Sequence, residues 1–224
     1  MSSSANRPFR EDEVADYERR RYRGLDQRIV HRRELRILRR ILSLIERETP
    51  VRTPAYALDA PCGYGRFSGL LLERGYRLVS SDLSPAMVRR ARMRDAISIS
   101  PMGIVGNLTQ GLPFRVGAFS AILSMRFFHH LHDAVDRRRA LEEFAHASSS
   151  WIILSYYQAN RLHVLQRKMR RAVKRSRTRI KMITRADFVS EARAAGFEIV
   201  RIIPLFRGIH AHHIALLRKA RAKS

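Results

Sequence analysis

Residues 57–92 read ALDAPCGYGRFSGLLLERGYRLVSSDLSPAMVRRAR. A short apolar run ends in Asp59 and a turn holding Gly63 and Gly65; a helical stretch follows, and a second apolar run closes on Asp82. That order predicts a strand, a tight turn, a helix and a second, parallel strand. Gly63 and Gly65 let the backbone approach a ligand and take conformations that other residues resist. In a doubly wound fold the ligand lies beyond the carboxyl ends of the strands, near the first strand–helix turn. Asp82 comes 17 residues after Gly65, where a carboxylate accepts both hydroxyls of a ribose.

The chain alternates on either side of this stretch. Strands are predicted at 55–59, 77–82, 102–106, 119–124, 151–156, 197–203 and 212–218, and helices at 65–74, 84–94, 133–148 and 184–195. In TRADFVSEARAAGFEIV, Thr184 caps a helix with Asp187 three residues on, and Gly196 stops it. The last strand follows its predecessor through a short loop. The expected fold is therefore α/β, a doubly wound, mostly parallel seven-stranded sheet with an antiparallel C-terminal hairpin. Upstream, Leu35, Leu38, Ile41, Leu42 and Ile45 recur at helical spacing. Residues 1–54 are expected to form a helical cap over the ligand mouth within the same domain, with Arg21, Tyr22, Arg32 and Arg33 in reach of it. Residues 55–224 form the main domain, with a basic insertion at 160–182.

Two ligands suit a glycine turn. A nicotinamide dinucleotide expects G-x-G-x-x-G, its pyrophosphate resting on backbone amides. Here Gly69 comes one residue late, and Asp59 would repel a pyrophosphate. The same acid attracts the amino group of a methionine moiety, so S-adenosylmethionine fits better. At this point the sequence resembles the class I S-adenosylmethionine-dependent methyltransferases. LDAPCGYGRFS resembles their first motif, usually D-x-G-x-G-x-G, with Pro61 in place of the first glycine; VSSDLSPAMVRRAR resembles the second. IVGNLTQGLPF resembles the third, with Asn107 where aspartate is frequent, and FSAILSMRFFHHL the fourth. The resemblance covers roughly residues 55–157. It implies a cofactor site at Asp59, Ala60, Pro61, Cys62, Gly63, Gly65, Asp82, Leu83, Met87, Asn107, Leu108, Met125 and Arg126.

Composition bounds the partners. The net charge is +24, with 39 arginines and only 5 lysines among the 44 basic residues. Residues 1–55 carry 14 basic and 9 acidic side chains, residues 56–158 carry 12 and 8, and residues 159–224 carry 18 and 3. The excess sits in the last third. NRLHVLQRKMRRAVKRSRTRIKM, residues 160–182, holds ten cations and no acid. It is read as an acceptor-binding flap in which Arg170, Arg171, Lys174 and Arg175 meet an anionic acceptor: RNA, a phosphorylated lipid or sugar, or a small acidic metabolite. No stretch approaches the ~20 apolar residues of a membrane span, although peripheral membrane contact stays open. The N-terminus has no apolar signal region, and the single cysteine, Cys62, allows no internal disulfide. A cytoplasmic protein is expected.

Candidate catalytic groups lie at strand ends on the ligand side. His129, His130 and Tyr156 are the choices, an imidazole being able to accept a proton near neutral pH. HHLH at 129–132 lacks carboxylates at ligand spacing, so no metal site is assigned. In HAHH, His210 and His212 share a strand face and are read as surface residues. No Asn/Asp-Pro-Pro-aromatic follows the fourth strand, and no second cysteine serves covalent attack, which leaves a mild preference for methylating oxygen. The alternative function is a non-catalytic, basic RNA-binding protein that retains the fold.

Overall fold

The computed structural model describes residues 10, 13–14, 24–51, 54–94, 102–159, 181–207 and 211–220. In chain order its elements are α1 (Leu25–Glu48), β1 (Tyr56–Asp59), α2 (Ser68–Leu72), β2 (Arg77–Asp82), α3 (Pro85–Arg94), β3 (Met102–Val105), β4 (Phe119–Ser124), a 3-10 turn (Phe128–His130), α4 (Ala134–Ala147), β5 (Ser148–Tyr157), α5 (Arg185–Ala194), β6 (Phe197–Pro204) and β7 (His212–Lys219). The seven strands form one sheet in the order β3-β2-β1-β4-β5-β7-β6. Strands β1 to β5 are parallel, and β7 runs antiparallel between β5 and β6. This is the expected doubly wound sheet with its antiparallel hairpin. From β1 the chain winds outward to β2 and β3, then crosses back to β4, so the crevice between the carboxyl ends of β1 and β4 is the switch point where ligands bind.

Residues alternate between the two faces of the sheet. Leu58, Ile122, Ile152, Leu154, Ala215 and Leu217 pack with Leu141, Phe144 and Phe188 of α4 and α5. Ala57, Leu78, Leu123, Ile153, Ile214 and Leu216 pack with α1 and α2. Period-two patterning thus distributes each strand between two cores. Ile37, Leu38, Ile41, Leu42 and Ile45 of α1 are each 1–2 % exposed. At about 1.5–3 kcal/mol per buried aliphatic side chain, this stripe contributes on the order of 10 kcal/mol to holding the helix on the sheet.

Helix α1 packs its apolar stripe along a face of the sheet, and its Glu34 reaches Arg66 beside the glycine turn. Arg32 faces outward and is exposed, while Arg33 Nε donates to the Leu205 carbonyl 3.1 Å away. Arg21 and Tyr22 lie outside the described residues. Upstream of α1, Val14 is buried against Tyr64, Ala86 and Met87, which brings the N-terminal segment to the glycine turn. Helix α2 starts later than predicted, since residues 60–67 are spent on the turn. Thr184 does cap α5: its hydroxyl accepts from the Asp187 N–H at 3.1 Å.

Candidate active site

The turn after β1 is fixed by backbone bonds to both neighbouring strands. Ala60 N donates to Leu123 O of β4 (2.9 Å), and Cys62 N to Ser81 O of β2 (2.8 Å). Asp59 is 2 % exposed, and its Oδ2 accepts from Ser68 Oγ at the start of α2 (2.7 Å). Asp82 is only partly buried. Its Oδ2 accepts from Gly63 N (2.9 Å) and its Oδ1 from Ser84 N (3.0 Å). Burial pushes the Asp82 carboxyl above its ordinary value, while N–H donation from Ser84, Gly63 and Leu83 pulls it back. A carboxylate has about four lone-pair sites, so these two bonds orient it and leave acceptor capacity for a diol.

The two glycines do different work. Gly63 has φ +52°, and a Cβ there would meet no atom within 4 Å, so its bare backbone borders open space. Gly65 has φ +77°, and a Cβ would sit 3.0 Å from Ala91 Cα of α3. Gly65 is therefore a packing requirement and Gly63 an opening. Left-handed backbone costs a non-glycine residue about 1–2 kcal/mol, and overpacking adds about 1–3 kcal/mol. Gly65→Ala should destabilise the protein by about 2–4 kcal/mol in a thermal melt, whereas Gly63→Ala should lose ligand affinity with a smaller stability loss. Equal melting losses in the two variants would contradict this division.

The loop after β4 closes the other side of the crevice. Arg126 has φ +59°, the one positive value among described non-glycine residues, and its N–H donates to Ser155 Oγ of β5 (2.7 Å). Its guanidinium reaches Glu34 of α1: Nε and Nη2 both donate to Oε1, at 3.0 and 2.7 Å. Glu34 Oε2 accepts from Arg66 Nη2 at 2.9 Å, directly beyond the glycine turn. Glu34 is 0 % exposed, so one buried carboxylate joins α1, the first turn and the fourth-strand loop. Beside it His31 Nδ1 accepts from Arg66 Nε at 3.1 Å. Burial, then Arg66, Arg94 and Arg126, pull the His31 pKa down to about 4, which keeps its ring neutral at pH 7. Sequence reading missed Glu34, Arg66 and His31. The available signal was an acid in register with the apolar stripe of α1.

The candidate catalytic residues separate. His129 is 9 % exposed and His130 exposed, on the 3-10 turn at the carboxyl edge. Their rings lie 4.1 Å apart, and His129 meets Tyr157 edge-on at 4.8 Å. Tyr156 is elsewhere: it stacks on Phe188 of α5 at 4.1 Å, is 1 % exposed, and donates its hydroxyl to Gln158 Oε1 (2.8 Å). Burial raises its pKa further. The parity of β5 turns Tyr156 into the α4/α5 core, away from the His129 edge. His212 is also corrected: it is 0 % exposed, stacked on Tyr157 at 5.0 Å with Nδ1 3.6 Å from Glu34 Oε1. Its neighbour His213 is buried too, with Nδ1 2.8 Å from Ala211 O. His210 lies outside the described residues.

Of the remaining cofactor candidates, Met87 is buried with Tyr64, and Leu108 and Met125 lie in the two cores. Asn107 Oδ1 accepts from Thr109 N (3.0 Å) and Thr109 Oγ1 (2.9 Å), which orients its amide. Pro61 and Leu83 are partly exposed along the turn and the end of β2. Arg170, Arg171, Lys174 and Arg175 lie outside the described residues. The flanks of their segment are described. Ala159 N donates to Ile183 O (2.8 Å), Ile183 N to Tyr157 O (3.0 Å), and Lys181 N to His129 O (3.1 Å). The basic segment therefore leaves and re-enters the sheet edge beside His129.

A family model described as a methyltransferase domain matches residues 58–148. The fold agrees with magnesium protoporphyrin IX methyltransferase from Synechocystis PCC 6803, solved with bound S-adenosylhomocysteine (TM-score 0.74, 18% identity, 92% of this chain and 94% of that one). It also agrees with an S-adenosylmethionine-dependent methyltransferase from Methanosarcina mazei (TM-score 0.62, 19% identity, 77% and 95%). Residues 58–148 thus match a methyltransferase domain, within a fold shared with these S-adenosylmethionine-dependent enzymes. Among curated proteins, 18S rRNA (guanine-N(7))-methyltransferases of Mus musculus and Bos taurus are each 37% identical over 76 residues, 34% of this chain. The chain spans about a quarter (26%) of the length of those relatives.

The residues of this site fit S-adenosylmethionine, which a fold neighbour binds. An oriented carboxylate at the end of β2 suits a ribose diol, and Gly63 opens the backbone beside it. Asp59 is a buried anion at the turn, of the charge that an α-amino group suits and a pyrophosphate does not.

Proposed function

We propose that the protein transfers a methyl group from S-adenosylmethionine to RNA. The observation that carries the transfer is the Gly63–Asp82 hydrogen bond (2.9 Å), which builds a ribose receptor at the switch point. Asp59, Asp82 and the Asn107 amide would hold the amino group, the ribose and the adenine edge. Once bound, the cofactor supplies an electrophilic methyl on a sulfonium that is already a good leaving group. The chain must then align the acceptor and exclude water. In this reading His129 and His130 would accept the proton of a hydroxyl, and oxygen is the favoured acceptor atom because no amino-methylating motif follows β4.

RNA is preferred over the other anionic acceptors on charge. Ten cations in the 23 residues 160–182 exceed what one or two phosphates of a small metabolite engage, and the described flank of the segment meets His129 at Lys181. The matching curated relatives are named for rRNA, which supports the choice of RNA, and for guanine N(7), which does not support oxygen as the acceptor atom. The test is transfer of labelled methyl from the cofactor into fractionated cell extract. Nuclease-sensitive label is the expected result. Label confined to lipid or small molecules would remove RNA as the acceptor; RNA binding with no label in any fraction would favour a non-catalytic RNA-binding protein.

A further inference from the structure

Helix α1 presents a second cationic surface, distinct from the 160–182 segment. Arg32, Arg36, Arg39, Arg40 and Arg47 are all exposed. At about 100° per residue these five fall within an arc of ~100°, opposite the buried stripe of Ile37, Leu38, Ile41 and Ile45. They extend over about 22 Å at ~1.5 Å rise per residue. No carboxylate pairs with any of the five among the described residues. The nearby acids are committed elsewhere: Glu34 to Arg66 and Arg126, Glu46 to Arg74, and Glu48 to Arg218. Like charges held this close raise the free energy of the folded chain unless an anion meets them. The stripe begins level with Glu34, which ties α1 to the cofactor turn.

We propose that this outer face of α1 is a docking surface for the phosphate backbone of an RNA whose target nucleotide sits at the β4/β5 edge; the inference rests on the reading of RNA as acceptor. Guanidinium groups at successive helical turns suit a repeating phosphate, which each can bind bidentately. A membrane fits less well. The apolar face of α1 is already buried on the sheet, so the helix has no face to insert, and peripheral helices need one.

The test uses the full-length protein with the quadruple variant Arg32→Glu, Arg36→Glu, Arg39→Glu, Arg40→Glu. Binding to a labelled 20-nucleotide oligouridylate is followed by fluorescence anisotropy across a salt series. Vesicles of phosphatidylglycerol and phosphatidylcholine form the second arm. The variant should bind the RNA at least tenfold more weakly, and the slope of log K against log salt should flatten by about 3, given ~0.7 per phosphate contact on single strands. S-adenosylmethionine affinity and melting temperature should not change. If the reversed charges disturb folding, the matching glutamine variant gives the same reading with a slope change of similar size. Unchanged RNA affinity and slope would overturn the proposal, as would loss of vesicle binding without loss of RNA binding. Binding through the stripe without methyl transfer would instead fail the acceptor reading and leave the docking surface standing.

Discussion

Asp82→Ala should weaken S-adenosylmethionine binding by about 100-fold, measured by calorimetric titration. Hydrogen bonds to an ionised group are worth about 1.5–3 kcal/mol each, and about 1.4 kcal/mol is tenfold in affinity. Losing a carboxylate that accepts two ribose hydroxyls therefore costs at least two orders of magnitude. A second loss is structural. Asp82 also accepts from Gly63 N and Ser84 N, and orphaned N–H groups cost about 1–3 kcal/mol. The alanine variant should melt at a lower temperature as well. Asp82→Asn separates the two effects, because its amide oxygen still accepts from one backbone donor. It should keep most of the stability and lose about tenfold in affinity. Alanine and wild type binding within threefold of each other would show that Asp82 does not carry the ribose.

Glu34→Gln should cost as much stability as Gly65→Ala, by removing a buried ion pair and not by straining the backbone. The carboxylate is fully buried and takes three hydrogen bonds from two arginines. Glutamine offers one acceptor oxygen and turns an amide donor toward a guanidinium donor. Breaking a buried ion pair by removing one partner costs about 3–5 kcal/mol. Arg66 and Arg126 side chains remain 8% and 17% exposed, so water offsets part of that. About 2–4 kcal/mol is expected, a drop in Tm on the order of 5–15 °C for a chain of this size. Cofactor affinity should fall with it, since the same carboxylate sets the position of the fourth-strand loop. A melting temperature within about 2 °C of wild type would mean that the cluster holds nothing in place.

The parts of the fold that sequence reading recovered are those with strong local signals. β1, β2 and β4 are apolar runs bounded by turn residues, and the glycines between Asp59 and Ser68 mark the binding turn. The start of β5 was placed three residues late because Ser148–Ser150 are polar, yet Ser148 pairs with Phe119 of β4. Tyr156 was assigned by its place at a strand end, although strand parity already put it on the face of Ile152 and Leu154. Such an error was avoidable. Glu34 and His212 are different cases: the stripe of α1 marks Glu34 for burial, but nothing local names what pairs with it or buries the imidazole. Their partners are Arg66, Arg126 and Tyr157, up to 92 residues away in sequence, and only the sheet order brings them together. The outward arginines of α1 were visible as residues but not as a surface until the buried stripe fixed the helix's rotation.

We propose that the Asp59–Gly63–Asp82 turn receives S-adenosylmethionine. Isothermal titration of the wild-type protein with S-adenosylmethionine and S-adenosylhomocysteine tests it directly. Saturable 1:1 binding of both ligands at micromolar concentration is the predicted result; absence of binding by either at millimolar concentration would contradict it.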